Sequence, residues 1–244
     1  MNNYKLIIQY DGTDYAGWQI QKNANSVQQE ITNAVNTILR EEVNLIGSGR
    51  TDTGVHALGQ AANFRTEQEL DKPRFLLSLN SVLPYSISVT KIDKVDESFH
   101  ARYDAKSRSY IYLISKIKSP FYKKYSLFVP GFDRYDFGKL KSHSKLLLGE
   151  HDFTSFSRKI SETENKNCVI KHIGWRNQKH LVIFYIEANR FLHGMVRTII
   201  GTLIHSVKAE LNEDFIVNVF NDKDRESAKE AVAAKGLFLF KVRY

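Results

Sequence analysis

The chain has 244 residues, 42% of them hydrophobic, and only four prolines, enough for one large core or two packed lobes without a flexible linker. Thirty-five Lys and Arg against 27 Asp and Glu leave a net charge of +8, which favours a polyanionic partner through phosphate contacts and counterion release. The single Cys168 excludes an internal disulfide, and the longest apolar runs, such as Leu181 to Ile186, are far too short to cross a bilayer, so a cytoplasmic protein with no membrane role is expected.

In chain order, Leu6 to Tyr10 reads as a strand. Ser26 and Gln29 have the spacing of a capping box, opening an amphipathic helix whose apolar face is Val27, Ile31, Val35, Ile38 and Leu39. A Gly-rich stretch follows and passes into a strand of small side chains from Val55 to Phe64, after which Pro73 suits the first turn of a helix over 73–83. Residues 107–115 alternate, with Tyr110, Tyr112 and Ile114 on one face and Ile111 and Leu113 on the other, as in a central strand.

Further on, Leu140, Leu147 and Leu148 fit a helix stopped near Gly149, 157–168 reads as an exposed loop within reach of RNA, and strands are expected at 169–175 and 181–188. Residues 192–207 turn helical. Leu192, Met195, Val196, Ile199, Ile200 and Leu203 form the apolar stripe, and Arg197 falls at its edge, roughly 140° from Leu192 at about 100° per residue. A last helix from Asp224 ends at Gly236, before a strand from Leu237 to the C-terminus. This succession predicts an α+β fold with a mostly antiparallel sheet, an N-terminal lobe over 1–105 carrying the Gly-rich loop and a C-terminal lobe over 106–244.

The Gly-rich stretch, GSGRTDTGVHALGQAANF at 47–64, holds the chemistry. Asp52 lies between two threonines, and Gly47, Gly49 and Gly54 allow tight turns and the close approach of a bulky ligand. Two positions earlier, Arg50 supplies a permanent fork of donors. By itself an Asp in such a loop serves as a turn or capping residue; beside an Arg it is also a candidate nucleophile, because an Asp of ordinary acidity is ionised at neutral pH. Gly49 to Gly54 has the spacing of a phosphate-cradling loop, but Val55 and His56 stand where that loop needs Lys and Ser or Thr. The dinucleotide fingerprint fails too, since the G-x-G at 47–49 is followed by Asp52 in place of its third glycine. Eight histidines without a CxxC or HExxH pattern predict no metal site.

GRTDTGVH at 49–56 resembles the catalytic motif of the tRNA pseudouridine synthase A family, and five more blocks in family order extend the resemblance over the whole chain. They are YDGTDYAGWQ at 10–19, FHARYDAKSRSYIYLI at 99–114, HDFTSFS at 151–157, NRFLHGMVRTIIGTL at 189–203 and GLFLF at 236–240. The resemblance implies two ferredoxin-like halves joined across a central cleft, and an isomerase converting uridine to pseudouridine at positions 38, 39 and 40 in the anticodon stem-loop of transfer RNA. Breaking C1′–N1, turning the uracil and joining C1′ to C5 gains and loses no atom, so no cofactor and no metal are implied. The resemblance makes Asp52 the catalytic nucleophile, with attack at C1′, attack on the ring and proton abstraction at C2′ all open to it.

On the same grounds Tyr110 stacks on the target base, Arg197 is the basic partner of the catalytic Asp, and Leu237 packs against the pocket. Arg50 holds the flipped nucleotide or the space it vacates, because a base in a stem must be extruded before its C1′ can be reached. Read from residues alone, Tyr110 and Leu237 serve equally as core and Arg197 as a surface residue. One departure is Lys235, where the family carries proline just before the final Gly-Leu. Family members act as homodimers, each RNA bridging both subunits. A non-catalytic RNA-binding protein on the same scaffold is the alternative reading, against which the intact Asp52 stands; base deamination is excluded, because it needs a zinc site with P-C-x-x-C and the chain has one cysteine.

Overall fold

The computed structural model describes residues 1–158 and 164–244, which form two compact units. The first comprises Met1–Lys106 with Phe238–Tyr244, the second Ser107–Leu237.

The first unit opens with β1 (Asn2–Tyr10), α1 (Val27–Leu39), β2 (Ile46–Gly47), β3 (His56–Thr66), α2 (Lys72–Val82) and β4 (Ile87–Val95). The period-two pattern of β1 buries Tyr4, Leu6, Ile8 and Tyr10 on one face, and the strand lies antiparallel between β3 and β4, with Tyr4 opposite Phe64 and Leu6 opposite Ala62. Both pairings shift register near Ile8, at the end of β1 that leads to the segment from Asp11 to Trp18. Ser26 caps α1 by accepting from the Gln29 N–H at 3.3 Å, but Gln29 turns its side chain to Asn33 at 2.7 Å, so only half of the expected box forms. The buried face of α1 is Val27, Ile31, Ala34, Val35 and Leu39, with Ile38 at its edge.

In the second unit, β5 (Ser107–Ser115) is followed by β6 (Leu127–Phe128), α3 (Phe137–Lys145), β7 (Gly149–Asp152), β8 (Asn167–Asn177), β9 (Leu181–Ala188), α4 (Met195–Lys208) and α5 (Asp214–Asp222). The strands run antiparallel in the order β5, β9, β8, β7, and the short β6 joins β5 in parallel. All six residues of the apolar stripe at 192–203 are buried. The helix itself starts three residues after Leu192, behind Gly194, whose φ of 74° is a left-handed conformation suited to glycine.

After the second unit the chain returns to the first as β10 (Leu237–Arg243), in which Phe238 and Leu239 run parallel to His56 and Ala57 of β3. The closing residues, assigned from chain order to the C-terminal lobe, thus group with the first unit. A Cβ on Gly59 would lie 2.6 Å from the Phe240 carbonyl oxygen, so this contact requires a residue without one.

Three local expectations fail for identifiable reasons. The helix expected from Asp224 to Gly236 does not form: α5 ends at Asp222, and from Lys223 to Ala233 the described chain is irregular, with one 3-10 turn at Ala234–Gly236. Its backbone bonds elsewhere, as Lys229 N–H donates to Thr202 Oγ1 at 3.1 Å and Val232 N–H to the Arg197 carbonyl at 3.2 Å, and this tertiary pairing overrides a helix-forming composition. The helix expected to stop near Gly149 stops at Lys145; Leu147 is buried from the turn that follows, and Gly149 starts β7. The loop expected over 157–168 gives way to β8 at Asn167, while residues 159–163 lie outside those described.

Candidate active site

The loop from Ser48 to Val55 connects β2 to β3, and its backbone is held at both ends and in the middle. Ser48 N–H donates to the Ala61 carbonyl at 2.7 Å, and Ser48 Oγ donates to Oε1 of the buried Gln60, whose Nε2 donates to the Gly49 carbonyl at 2.9 Å. At the centre Thr51 shares a 2.8 Å hydrogen bond with the Tyr10 hydroxyl, while its carbonyl accepts from the Trp18 N–H at 3.1 Å. Val55 N–H then donates to the Asp52 carbonyl at 3.1 Å, closing a turn whose third residue is Gly54 at φ 74°. Asp52 is therefore flanked by fixed backbone on both sides. Its side chain is half-buried, and that of Arg50 is exposed.

What presses on this loop is the segment after β1. A Cβ on Gly12 would lie 2.0 Å from the Val55 carbonyl oxygen, and one on Gly17, at φ 98°, would lie 2.4 Å from the Thr51 carbonyl oxygen. Gly47 packs as closely on the Trp18 indole, where a Cβ would come within 2.4 Å of Nε1. The segment from Asp11 to Trp18 thus moulds the backbone on both sides of Asp52. Next in chain, His56 is buried, stacks on Phe238 with ring centroids 4.7 Å apart, and has Nδ1 3.0 Å from the Gly12 N–H and 3.1 Å from Asp11 Oδ1.

In the second unit, Tyr110 sits on β5 opposite Ile186 of β9, half-buried, and meets Phe191 edge-on at 5.2 Å. Arg197 lies in the first turn of α4 and is also half-buried. Its Nε–H donates to the Val232 carbonyl at 2.7 Å, and its own carbonyl accepts from the Val232 N–H. One residue along, the Ala233 carbonyl accepts from the Tyr112 hydroxyl at 2.8 Å. Burial pushes the Tyr112 phenol well above its ordinary value, opposed by the positive charge of Arg197. Gly236 lies against that phenol ring, where a Cβ would come within 2.7 Å of Cζ, and the buried Leu237 follows directly.

Arg50 and Asp52 thus share the loop of the first unit, and Tyr110, Arg197 and Leu237 belong to the second. Within the second unit, the segment leading into Leu237 is joined to Arg197 through Val232 and to Tyr112 through Ala233. The sequence reading passed over Gly12, Gly17, Gly201 and Thr202, and took Tyr112 only as a strand residue. Gly201 offered a signal, since a glycine inside an apolar helix costs about 1 kcal/mol against alanine and marks close packing. Among the described residues, no three His, Cys, Asp or Glu side chains gather as a metal site, and no helix is long and apolar enough to cross a membrane.

Comparison with known proteins matches the chain to the family model described as tRNA pseudouridine synthase, over residues 6–104 and 144–244. The chain is 38% identical over 246 aligned positions to the tRNA pseudouridine synthase A of Thermoanaerobacter sp., with both chains fully covered. It is 40% identical to that of Parabacteroides distasonis, covering all of this chain and 96% of the other, and 36% identical to tRNA pseudouridine synthase A 2 of Bacillus cereus, with full coverage of both.

Proposed function

The chain belongs to the tRNA pseudouridine synthase family, and from that premise we propose that it isomerises uridine to pseudouridine at positions 38, 39 and 40 of the anticodon stem-loop of transfer RNAs, with Asp52 as the nucleophile. The observation that carries this reading is the loop around Asp52. Backbone hydrogen bonds at Ser48, Thr51 and Val55, with glycines packed against both flanks, hold the carboxylate with little freedom left in the main chain. Preorganisation of this kind favours attack, because a reacting group held in place need not be ordered during the reaction.

The reaction breaks C1′–N1 and forms C1′–C5; the C5 proton leaves and N1 acquires one, so atoms and electrons balance without an external acceptor. An ionised carboxylate serves whether it attacks C1′, adds to the ring or removes the C2′ proton. The exposed Arg50 suits contact with the extruded nucleotide, and Tyr110 offers an aromatic face to stack on the detached uracil, worth about 1–3 kcal/mol in other single-strand binders. As the family resemblance implies, Arg197 serves in this reading as the basic partner of the catalytic Asp and Leu237 packs against the pocket. The net charge of +8 supports phosphate contacts. The enzyme works in the cytoplasm as a homodimer, without metal or cofactor.

The test replaces Asp52 with Asn, which keeps the shape and removes the charge. Pseudouridine in bound transfer RNA, mapped nucleotide by nucleotide, is expected to fall to background while salt-dependent binding persists. Turnover by Asp52→Asn at the wild-type rate overturns the reading. A wild-type protein that binds transfer RNA and leaves every uridine unchanged makes this a non-catalytic RNA-binding protein.

A further inference from the structure

We infer that Gly201 and Thr202 are positioning residues for Arg197: they seat the segment Lys229–Val232 on α4, and that segment fixes the guanidinium. The inference rests on the reading above that Arg197 serves the reaction. Gly201 stands four residues beyond Arg197, one turn along the same face of the helix. The segment crosses that face between two anchors, Lys229 N–H to Thr202 Oγ1 at 3.1 Å and the reciprocal pair of Val232 with Arg197 at 3.2 and 2.7 Å. Between the anchors, the Glu230 carbonyl oxygen would lie 2.0 Å from a Cβ on Gly201. That is about 1.4 Å short of ordinary van der Waals contact, which begins at 3.4 Å.

Which side gives way is decided by packing. On its other faces α4 buries Ile199, Ile200 and Leu203 completely, so the helix has nowhere to retreat. The segment, by contrast, carries an exposed Glu230 and borders a cavity of about 410 Å³ lined also by Ile204, His205 and Lys208. A methyl group at position 201 therefore lifts the segment, and a shift of about 1 Å takes the 2.7 Å bond from Arg197 Nε beyond hydrogen-bonding distance. The residue that follows the segment, Ala233, accepts from Tyr112, two residues along β5 from Tyr110, so the segment's seating also bears on the strand that carries the proposed stacking residue.

Single-turnover pseudouridine formation and transfer RNA affinity are measured for Gly201→Ala, Thr202→Val, Thr202→Ser, Arg197→Ala and the double variant Gly201→Ala with Arg197→Ala, with thermal melts confirming that each is folded. Misplacing a reacting group by about 1 Å costs on the order of 10²-fold in rate, and that loss is expected for Gly201→Ala with affinity nearly unchanged. Thr202→Val is expected to lose about tenfold through the missing acceptor, with Thr202→Ser restoring it. In the Arg197→Ala background the Gly201→Ala substitution should cost nothing further, because the group it positions is gone. An impaired Arg197→Ala combined with a fully multiplicative double variant, or Gly201→Ala and Thr202→Val both at the wild-type rate, overturns the inference alone. Wild-type turnover by Arg197→Ala removes instead the role of Arg197 on which it rests. Should Gly201→Ala fail to fold, the Thr202→Val and Thr202→Ser pair decides.

Discussion

Gly17→Ala is the sharpest probe of how the loop around Asp52 is held. Two costs can be worked from the structure. At φ 98° an alanine pays for a conformation that L-residues avoid, about 1–2 kcal/mol. Its Cβ would also meet the Thr51 carbonyl oxygen at 2.4 Å, 1 Å inside ordinary contact, and the Asp52 carbonyl carbon at 3.1 Å. Both are backbone atoms, so relief requires the loop itself to move by about that distance. The expected outcome is a stability loss of about 2 kcal/mol or more by urea denaturation, with kcat reduced on the order of 10²-fold while transfer RNA still binds. Gly131→Ala is the control, with φ 71° and no neighbour nearer to its Cβ than Arg134 Cδ at 4.0 Å; it should show the backbone cost without the catalytic one. Equal kcat values for Gly17→Ala, Gly131→Ala and wild type would refute the argument that packing from the Asp11–Trp18 segment sets the carboxylate's position.

The remaining expectations concern stability and reactivity. Burial holds the His143 imidazole below its ordinary value of 6.5, with Glu213 and Asp136 opposing and Lys139 reinforcing, while Nδ1 lies 2.9 Å from Ser206 Oγ. The fold thus favours the neutral ring: its contribution is complete above the unfolded value and is lost as pH falls from 6.5 towards the lower folded value. The urea midpoint should therefore drop as pH falls below about 6.5, and less in His143→Asn; an unchanged pH dependence in that variant counts against the assignment. The Cys168 thiol is pushed up to about 11 by burial, against the pull of Arg190, so iodoacetamide should label it in urea but not in the native protein. Stoichiometric native labelling would contradict this burial. Ser26→Ala removes the cap of α1 and should cost about 1 kcal/mol by chemical denaturation, a result below about 0.3 kcal/mol showing that the cap contributes little.

Locally encoded features were legible without coordinates. The period of β1, the alternation at 107–115, the Ser26 cap and the buried stripe of α4 all follow from residues within a few positions of one another. So did the exceptional spelling of the loop around Asp52. The boundaries that slipped, at Lys145 and Met195, lie where a turn or a left-handed glycine interrupts a pattern that the apolar residues continue.

Sequence by itself determined which residues are candidates for chemistry and which local elements carry most of them, because side-chain periodicity and turn chemistry act over a few residues. Tertiary structure alone decided what holds those candidates in place. Gly12 and Gly17 meet a loop about 35–45 residues away in the chain, and Val232 meets Arg197 across 35 residues. The stretch 224–233 has the composition of a helix, yet Thr202 and Arg197 supply partners for its backbone that no local pattern announces. A backbone group bonds wherever the folded chain brings a partner, and for this segment the partners were set by the packing of α4.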